Sequence, residues 1–202
     1  MKIALDREDF LKSLQSIIGV VERRQTMPIL ANVLFTAEDG ILTLTATDLE
    51  VELIAKLGYQ DGEKGSVTLP GRKLLDISRS LPNEATILIT LKDDKAIVTS
   101  GKSKFSLTTL PANEFPLIPS INGEHKVTVN QGDLRQLIEN TQFSMAQQDV
   151  RYYLNGLLLE IDENYLKAVA TDGHRLAFCQ KELSSALAEK KSVIIPRKGV
   201  LE

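Results

Sequence analysis

Apolar and polar positions alternate from Lys2 to Leu5, the two-residue period of a half-buried strand, and the alternation ends at Asp6. Beyond it Phe10, Leu14 and Ile17/Ile18 recur at the spacing of one helix face, and an Asp6 side-chain oxygen is placed to accept the free amide of the third helical residue. Three extended segments follow a loop: ANVLFTA (31–37), ILTLTATD (41–48) and VELIAKL (51–57), the first two joined across Asp39-Gly40. The same order restarts at VTLP (67–70). A helix is predicted over GRKLLDISRSL (71–81), with Leu74, Leu75, Ile77 and Leu81 inward and Pro82 ending it. Strands are predicted over ATILITL (85–91), KAIVTS (95–100) and KFSLTTL (104–110), with turns at Asp93-Asp94 and Gly101. The order is β-α-β-β-β, twice.

A longer-range copy overlies this one. The Ala-Thr-Asp of 46–48 recurs at 170–172, a shift of 170 − 46 = 124 residues. The same shift aligns Lys2, Ile3 and Leu5 with Lys126, Val127 and Val129, Phe10 and Leu14 with Leu134 and Ile138, and Leu30, Val33 and Leu34 with Leu154, Leu157 and Leu158. With two residues more, VTLPGRKLLD (67–76) matches VIIPRKGVLE (193–202), Pro70 against Pro196. The second copy is expected to open with a strand from Lys126 to Val129 and a helix capped by Asn130. Strands over NGLLLEI (155–161), YLKAVATD (165–172) and RLAF (175–178) then follow. The fold class is α+β in two domains: 1–123 with both β-α-β-β-β units, and 124–202 with the first unit and the start of the second.

Composition narrows the class. A chain of 202 residues, 43% hydrophobic and 25% charged, with 12 Gly and 7 Pro, suits two globular domains and excludes fibrous or disordered architectures. The longest apolar runs, such as LNGLLLEI (154–161), fall far short of the roughly 20 residues of a membrane helix. MKIALDRED lacks the features of a signal peptide, and a single cysteine makes no internal disulfide, so a cytoplasmic setting without membrane is expected. At a formal charge of −3, a nucleic acid would be held only by basic residues gathered on one face. Arg72, Lys73 and Arg79 fall on the outward face of the helix 71–81, and Arg7 and Lys12 on that of the first helix. Arg23-Arg24 lies in the following loop, and Arg197-Lys198 takes the place of Arg72-Lys73 in the second copy. The acidic Glu38, Asp39, Glu50, Glu52, Asp61 and Glu63 fall mostly on strands and loops.

ATDGHRL (170–176) sets Asp172, His174 and Arg175 close together. Its sister TATDLEVEL (45–53) has Leu49 and Glu50 where the second copy has Gly173 and His174. The shared Thr-Asp therefore reads as a strand-ending turn in which Asp48 and Asp172 bond their own backbone, and local function belongs to Gly173, His174 and Arg175. No nucleophile, base and orienting group accompany His125 and His174, and no metal-ligand spacing or Gly-rich phosphate loop occurs. Cys179 reads as a small buried hydrophobe. Phe105 and Leu107 alternate with Lys104 and Ser106, which fits an edge strand either packed in its own core or meeting another chain. In DVRYYLNG (149–156), Arg151, Tyr152 and Tyr153 fit a nucleic-acid stacking platform, a peptide-binding rim or tyrosines folded into a core.

MPILANVLF (27–35), LTATDLEVEL (44–53), LPGRKLLDI (69–77), KFSLTTLPANEFP (104–116), TQFSMAQQDVRYYLNG (141–156), VATDGHRLA (169–177) and VIIPRKGV (193–200) together closely resemble the bacterial replicative sliding clamps, the beta subunits of DNA polymerase III. The resemblance spans essentially the whole chain. It implies the DNA clamp fold, repeated β-α-β-β-β units with helices lining the inner face and antiparallel sheets on the outside, in a ring of two head-to-tail chains of three domains each. It implies a non-catalytic processivity factor, without cofactor or metal, that encircles double-stranded primer-template DNA. The polymerase III catalytic subunit, the clamp loader and other polymerases or repair proteins would dock through short peptide motifs. Confinement would let an acidic protein retain DNA, because phosphate contacts then need only be weak enough to permit sliding.

On matching motif positions, the resemblance makes Arg24, Arg72, Gln148, Tyr152 and Tyr153 DNA-contacting, with Arg79 and Lys198 in the same lining. It gives Arg151, Tyr153, Leu154, Thr171, Gly173, His174, Arg175 and Leu176 one wall of a peptide pocket. Lys73, Lys104, Phe105 and Leu107 would lie on the face that meets the other chain. The family has three domains and this chain stops inside the second, so a fragment is expected, with an incomplete pocket and no ring closure of its own.

Overall fold

The structure, a computed structural model, describes residues 1–21, 27–59, 62–119, 126–183 and 189–202. The chain divides into two compact units, Met1–Pro119 and Ser120–Glu202. The boundary expected at 123/124 falls among residues 120–125, outside the described residues.

The first unit runs β1 (Lys2–Asp6), α1 (Arg7–Ile17), β2 (Asn32–Glu38), β3 (Ile41–Thr47), β4 (Glu52–Gly58), β5 (Gly65–Pro70), α2 (Gly71–Ser80), β6 (Thr86–Lys92), β7 (Lys95–Ser100) and β8 (Ser103–Thr108). Asp6 caps α1, its Oδ1 accepting from the amides of Glu8 at 2.8 Å and Asp9 at 3.1 Å. The strands form two antiparallel sheets, β1-β6-β7-β8 and β4-β3-β2-β5, so each half lends its leading strand to the sheet of the other. Isolated bridges Ile3–Gly62 and Thr68–Leu110 join the sheets at both edges. At the first, only glycine fits, since a Cβ on Gly62 would lie 2.5 Å from the Lys2 carbonyl oxygen. Inward residues of both sheets, among them Ile3, Phe35, Leu44, Ile87 and Ile89, meet Phe10 and Leu14 of α1 and Leu74 of α2 in one core.

Arg7 departs from its expected outward position and is only 8% exposed. Its Nε donates to the Ser78 carbonyl at 2.9 Å, and its Nη1 to Glu8 Oε2 at 2.8 Å and Asn83 Oδ1 at 3.3 Å. These bonds fasten the start of α1 to the end of α2, a neighbour that the periodicity of a single helix does not reveal.

The second unit runs α3 (Gln131–Glu139), β9 (Gly156–Asp162), β10 (Tyr165–Thr171), β11 (Leu176–Glu182), β12 (Lys191–Pro196) and α4 (Arg197–Leu201), with the sheet ordered β11-β10-β9-β12. Its registers repeat those of the first unit. Asn32 pairs with Pro70 and Gly156 with Pro196; Thr47 pairs with Glu52 and Thr171 with Leu176. The sequence shifts of 124 and 126 residues are therefore shifts between structurally equivalent positions. Leu137, Met145, Leu157, Leu166 and Ala168 centre the core, and Cys179, expected buried, is half-buried against it because β11 is an edge strand.

The strand expected from Lys126 to Val129 does not form. Its counterpart β1 is held by β6, and the equivalent of β6 in the second copy would fall past Glu202. Alternation alone supplies no hydrogen-bonding partner. Asn130 still caps α3, accepting from the Gly132 amide at 2.8 Å, one residue earlier in the helix than expected.

Candidate functional site

The two Thr-Asp turns make the same bonds. In the first, Thr47 Oγ1 donates to the Val51 carbonyl at 2.9 Å and accepts from the Leu49 amide at 3.0 Å, while Asp48 Oδ1 accepts from the amides of Glu50 at 3.1 Å and Val51 at 2.9 Å. In the second, Thr171 Oγ1 donates to the Arg175 carbonyl at 2.7 Å and accepts from the Gly173 amide at 3.1 Å. Asp172 Oδ1 accepts from the amides of His174 and Arg175, each at 3.0 Å. The His174 amide, then that of Arg175, holds the Asp172 carboxyl below its ordinary pKa. Asp172 is committed to its turn and His174 is exposed, so the two assemble no acid-base pair.

What distinguishes the second turn is its neighbour. Leu49 and Gly173 occupy the same left-handed position, with φ of 79° and 87°. A Cβ at Gly173 would stand 3.2 Å from Arg151 Nη2. Arg151 is held there by Asp149: Nε donates to Oδ1 at 3.0 Å, Nη2 to Oδ2 at 2.9 Å, and the Arg151 amide to Oδ1 at 2.8 Å. The Arg151 guanidinium is the main reason that the Asp149 pKa falls to about 2. Asn155 closes the loop behind this pair, its side chain accepting from the Asp149 amide at 3.0 Å and donating to the Asp149 carbonyl at 2.9 Å. A backbone bond from Ala146 to Leu154 completes the closure.

The closed loop displays side chains outward. Gln148 is exposed at a φ of 55°, and Tyr152 is 82% and Tyr153 52% exposed, their rings edge to face at 6.0 Å. The tyrosines are therefore not folded into a core. Arg175 ties the turn to the segment before the loop, donating from Nη2 to the Phe143 carbonyl at 2.7 Å with its guanidinium 5.7 Å from the Phe143 ring centroid.

Beside the loop lies a cavity of about 260 Å³ lined by Tyr153, Leu154, Gly156, Leu158, Val169, Thr171 and Ile194. Tyr153, Leu154 and Thr171 were expected there. Arg151 and Gly173 adjoin each other, Leu176 is 65% exposed opposite Thr171, and His174 points to solvent without lining the cavity. Leu158, Val169 and Ile194 were missed. Their signal is legible in retrospect: NGLLLEI and VIIP are apolar at both parities, where a strand with one solvated face alternates.

The other expected residues stand on several elements of the two units or outside the described residues. Arg79 is exposed on the last turn of α2. Arg72, expected outward, is half-buried, its Nε and Nη2 donating to the Val21 carbonyl at 3.1 and 2.6 Å, because the chain leaving α1 passes within reach. Lys198 is half-buried on α4, and Arg24, like Arg23, Asp61 and His125, lies outside the described residues. On the edge strand β8, Lys104 is exposed, Phe105 is half-buried and Leu107 is 6% exposed in its own unit's core, while Lys73 is exposed on α2.

The family model for the N-terminal domain of the DNA polymerase III beta subunit matches residues 1–119, and that for its central domain matches residues 128–202. A beta sliding clamp of Pseudomonas putida is 51% identical over 203 aligned positions, covering 100% of this chain and 55% of the relative. Among solved structures, the DNA polymerase III beta subunit of Pseudomonas aeruginosa aligns with a TM-score of 0.94 at 48% identity, and that of Caulobacter crescentus with 0.93 at 38%. Each alignment covers 100% of this chain and 55% of the other. The chain thus spans about half the length of the relatives that it matches.

Proposed function

The chain belongs to the DNA polymerase III beta subunit family, and from that premise we propose that it forms part of a replicative sliding clamp, a non-catalytic cytoplasmic protein that encircles duplex DNA and tethers a polymerase. The observation that carries this reading is the closed loop 146–155. It offers Gln148 and Tyr152 outward, as weak, sequence-independent DNA contacts require, and it sets Tyr153 and Leu154 in the wall of an apolar cavity suited to a short peptide. Exposed Arg79, with Arg24, Arg72, Tyr153 and Lys198, would supply further weak phosphate contacts. Arg151, Thr171, Gly173, His174, Arg175 and Leu176 would form or support the rim of the peptide site. Lys73 and Lys104, with the β8 edge and the half-buried Phe105, would meet a second clamp chain; Leu107 would support that edge from within.

A chimera tests this: the P. putida clamp with its matching N-terminal part replaced by this chain. It should confer processive synthesis, and Arg79→Ala with Gln148→Ala should shorten the products without weakening polymerase binding. Unchanged product lengths in that double variant would remove the DNA-contact part of the reading.

A further inference from the structure

Gln148 holds a backbone conformation that its own side chain does not explain. Its φ of 55° is left-handed, a region that non-glycine residues occupy in only about a few per cent of cases. Asp39, Asp93 and Glu163 share it, but each sits in a two-residue turn between paired strands, where closing the hairpin requires it. Gln148 lies instead in the longer loop 146–155, exposed, and among the described residues no hydrogen bond from its side chain keeps it there. What fixes it is the next residue. The half-buried Asn155 carboxamide accepts from the Asp149 amide at 3.0 Å and donates to the Asp149 carbonyl at 2.9 Å, the two-bond exchange by which one strand residue pairs with another. Both peptide planes flanking Asp149 are thereby set, including the one that joins it to Gln148. Asn155 is itself pinned: its amide donates to the Tyr152 carbonyl at 3.0 Å, and its carbonyl accepts at 2.8 Å from the amide of Arg197, the first residue of α4. In the first copy the equivalent position, 155 − 124 = 31, is Ala31, which has no group to make such a latch.

We propose that Asn155 is the positioning residue for Gln148: from behind the loop, and without touching DNA, it locks the 148–149 peptide so that Gln148 stays left-handed and its carboxamide stays aimed outward at the phosphate backbone. An over-determined minority conformer of this kind persists only where the surrounding bonds impose it, and here two bonds from one side chain do so. The carboxamide is the right group for the task, because Asp149 presents one donor and one acceptor on its backbone and an amide side chain answers both. The Asp149 carboxylate is meanwhile held from the other side by Arg151, so the residue after Gln148 has no freedom left through either its backbone or its side chain. This inference rests on reading Gln148 as a DNA contact and adds what aims it.

Two measurements read the loop and the DNA contact separately. In the isotope-labelled 202-residue chain, Gln148 should show the strong intraresidue amide-to-Hα NOE that the short distance at positive φ produces. Asn155→Ala should reduce it to the strength of ordinary residues, since a released non-glycine residue is left-handed only about a few per cent of the time. Asn155→Asp gives a readout that a loss of packing cannot, and decides the matter if Asn155→Ala does not fold. At neutral pH the introduced carboxylate has no donor for the Asp149 carbonyl, and the NOE should be weak. At about pH 3, below the ordinary carboxylate value of about 4, the introduced carboxyl again offers one donor and one acceptor, and the NOE should recover. Asp149, with its pKa at about 2, stays ionised there, and the unsubstituted chain at both pH values corrects for the other groups facing it, Arg151 in the loop and His174 in the neighbouring turn. In the chimera, Asn155→Ala should shorten the products by the same factor as Gln148→Ala, and the double variant should shorten them no further. An NOE that survives both Asn155 substitutions, or losses that multiply in the double variant, overturns the inference and leaves Gln148 as a DNA contact. Products unchanged by Gln148→Ala itself overturn the DNA-contact reading, and with it the assignment of Asn155 to that contact.

Discussion

Replacing Gly173 by alanine separates the two demands placed on that turn. At a φ of 87° a side chain costs about 1–2 kcal/mol of backbone strain, partly offset by the smaller conformational entropy of the unfolded alanine chain. The sister position carries Leu49 at a φ of 79°, so the strain by itself is tolerated by this fold. The second demand is local: the new Cβ would stand 3.2 and 3.4 Å from Arg151 Nη2 and Nη1, and that guanidinium cannot swing away without leaving Asp149. A net cost of about 1 kcal/mol corresponds to a fall of about 4–8 °C in melting temperature for a unit of this size. The assay is thermal unfolding of Gly173→Ala, Arg151→Ala and the double variant, with unfolding of the two units resolved by amide signals. Strain alone makes the two changes additive. Crowding of Arg151 makes Gly173→Ala less harmful once Arg151 is alanine, and that is the expected result. Strict additivity, or a melting temperature unchanged by Gly173→Ala, would refute the reasoning.

Arg7→Met should destabilise the first unit by about 2–3 kcal/mol in chemical denaturation, since it strands the buried Ser78 carbonyl and unfastens α1 from α2. Ser144→Ala should leave the second unit unchanged or up to about 1 kcal/mol more stable, because the Ser144 hydroxyl is fully buried and makes no hydrogen bond among the described residues. Asp149 has its pKa depressed to about 2, so its stabilisation of the loop is fully present above the unfolded value of about 4 and is lost as pH falls through 2. A carboxyl titration by NMR should show that midpoint, and an ordinary carboxylate midpoint would contradict the Asp149–Arg151 pairing. His174→Ala should leave the fold intact, with circular dichroism as the check, because only its backbone amide is bonded within the turn.

The elements were legible because each rests on a local period. The strands of ILTLTATD and the helix 71–81 fall where alternation and helical spacing put them, and the Asp6 cap needs only neighbours two and three residues away. The repeat was legible for the same reason, one pattern written twice. What escaped was long-range. The exchange of β1 and β5 between sheets and the folding of Arg7 onto Ser78 and of Arg72 onto Val21 all depend on partners 28 or more residues away, and 126–129 pairs with no strand among the described residues. The ATDGHRL turn was read correctly from its copy, yet its contact with Arg151 was not, because nothing in the turn itself names the residue packed against it.

The most direct measurement of the central claim, retention by confinement, is the survival of the chimeric clamp on DNA before and after the circle is cut. Loaded on nicked circular DNA, it should persist through gel filtration at elevated salt and should run off within the same interval once a single cut linearises the molecule. Equal retention on circle and line would mean that adhesion holds the DNA. Failure to remain on the intact circle, with the chimera folded, would mean that this chain does not complete a clamp at all.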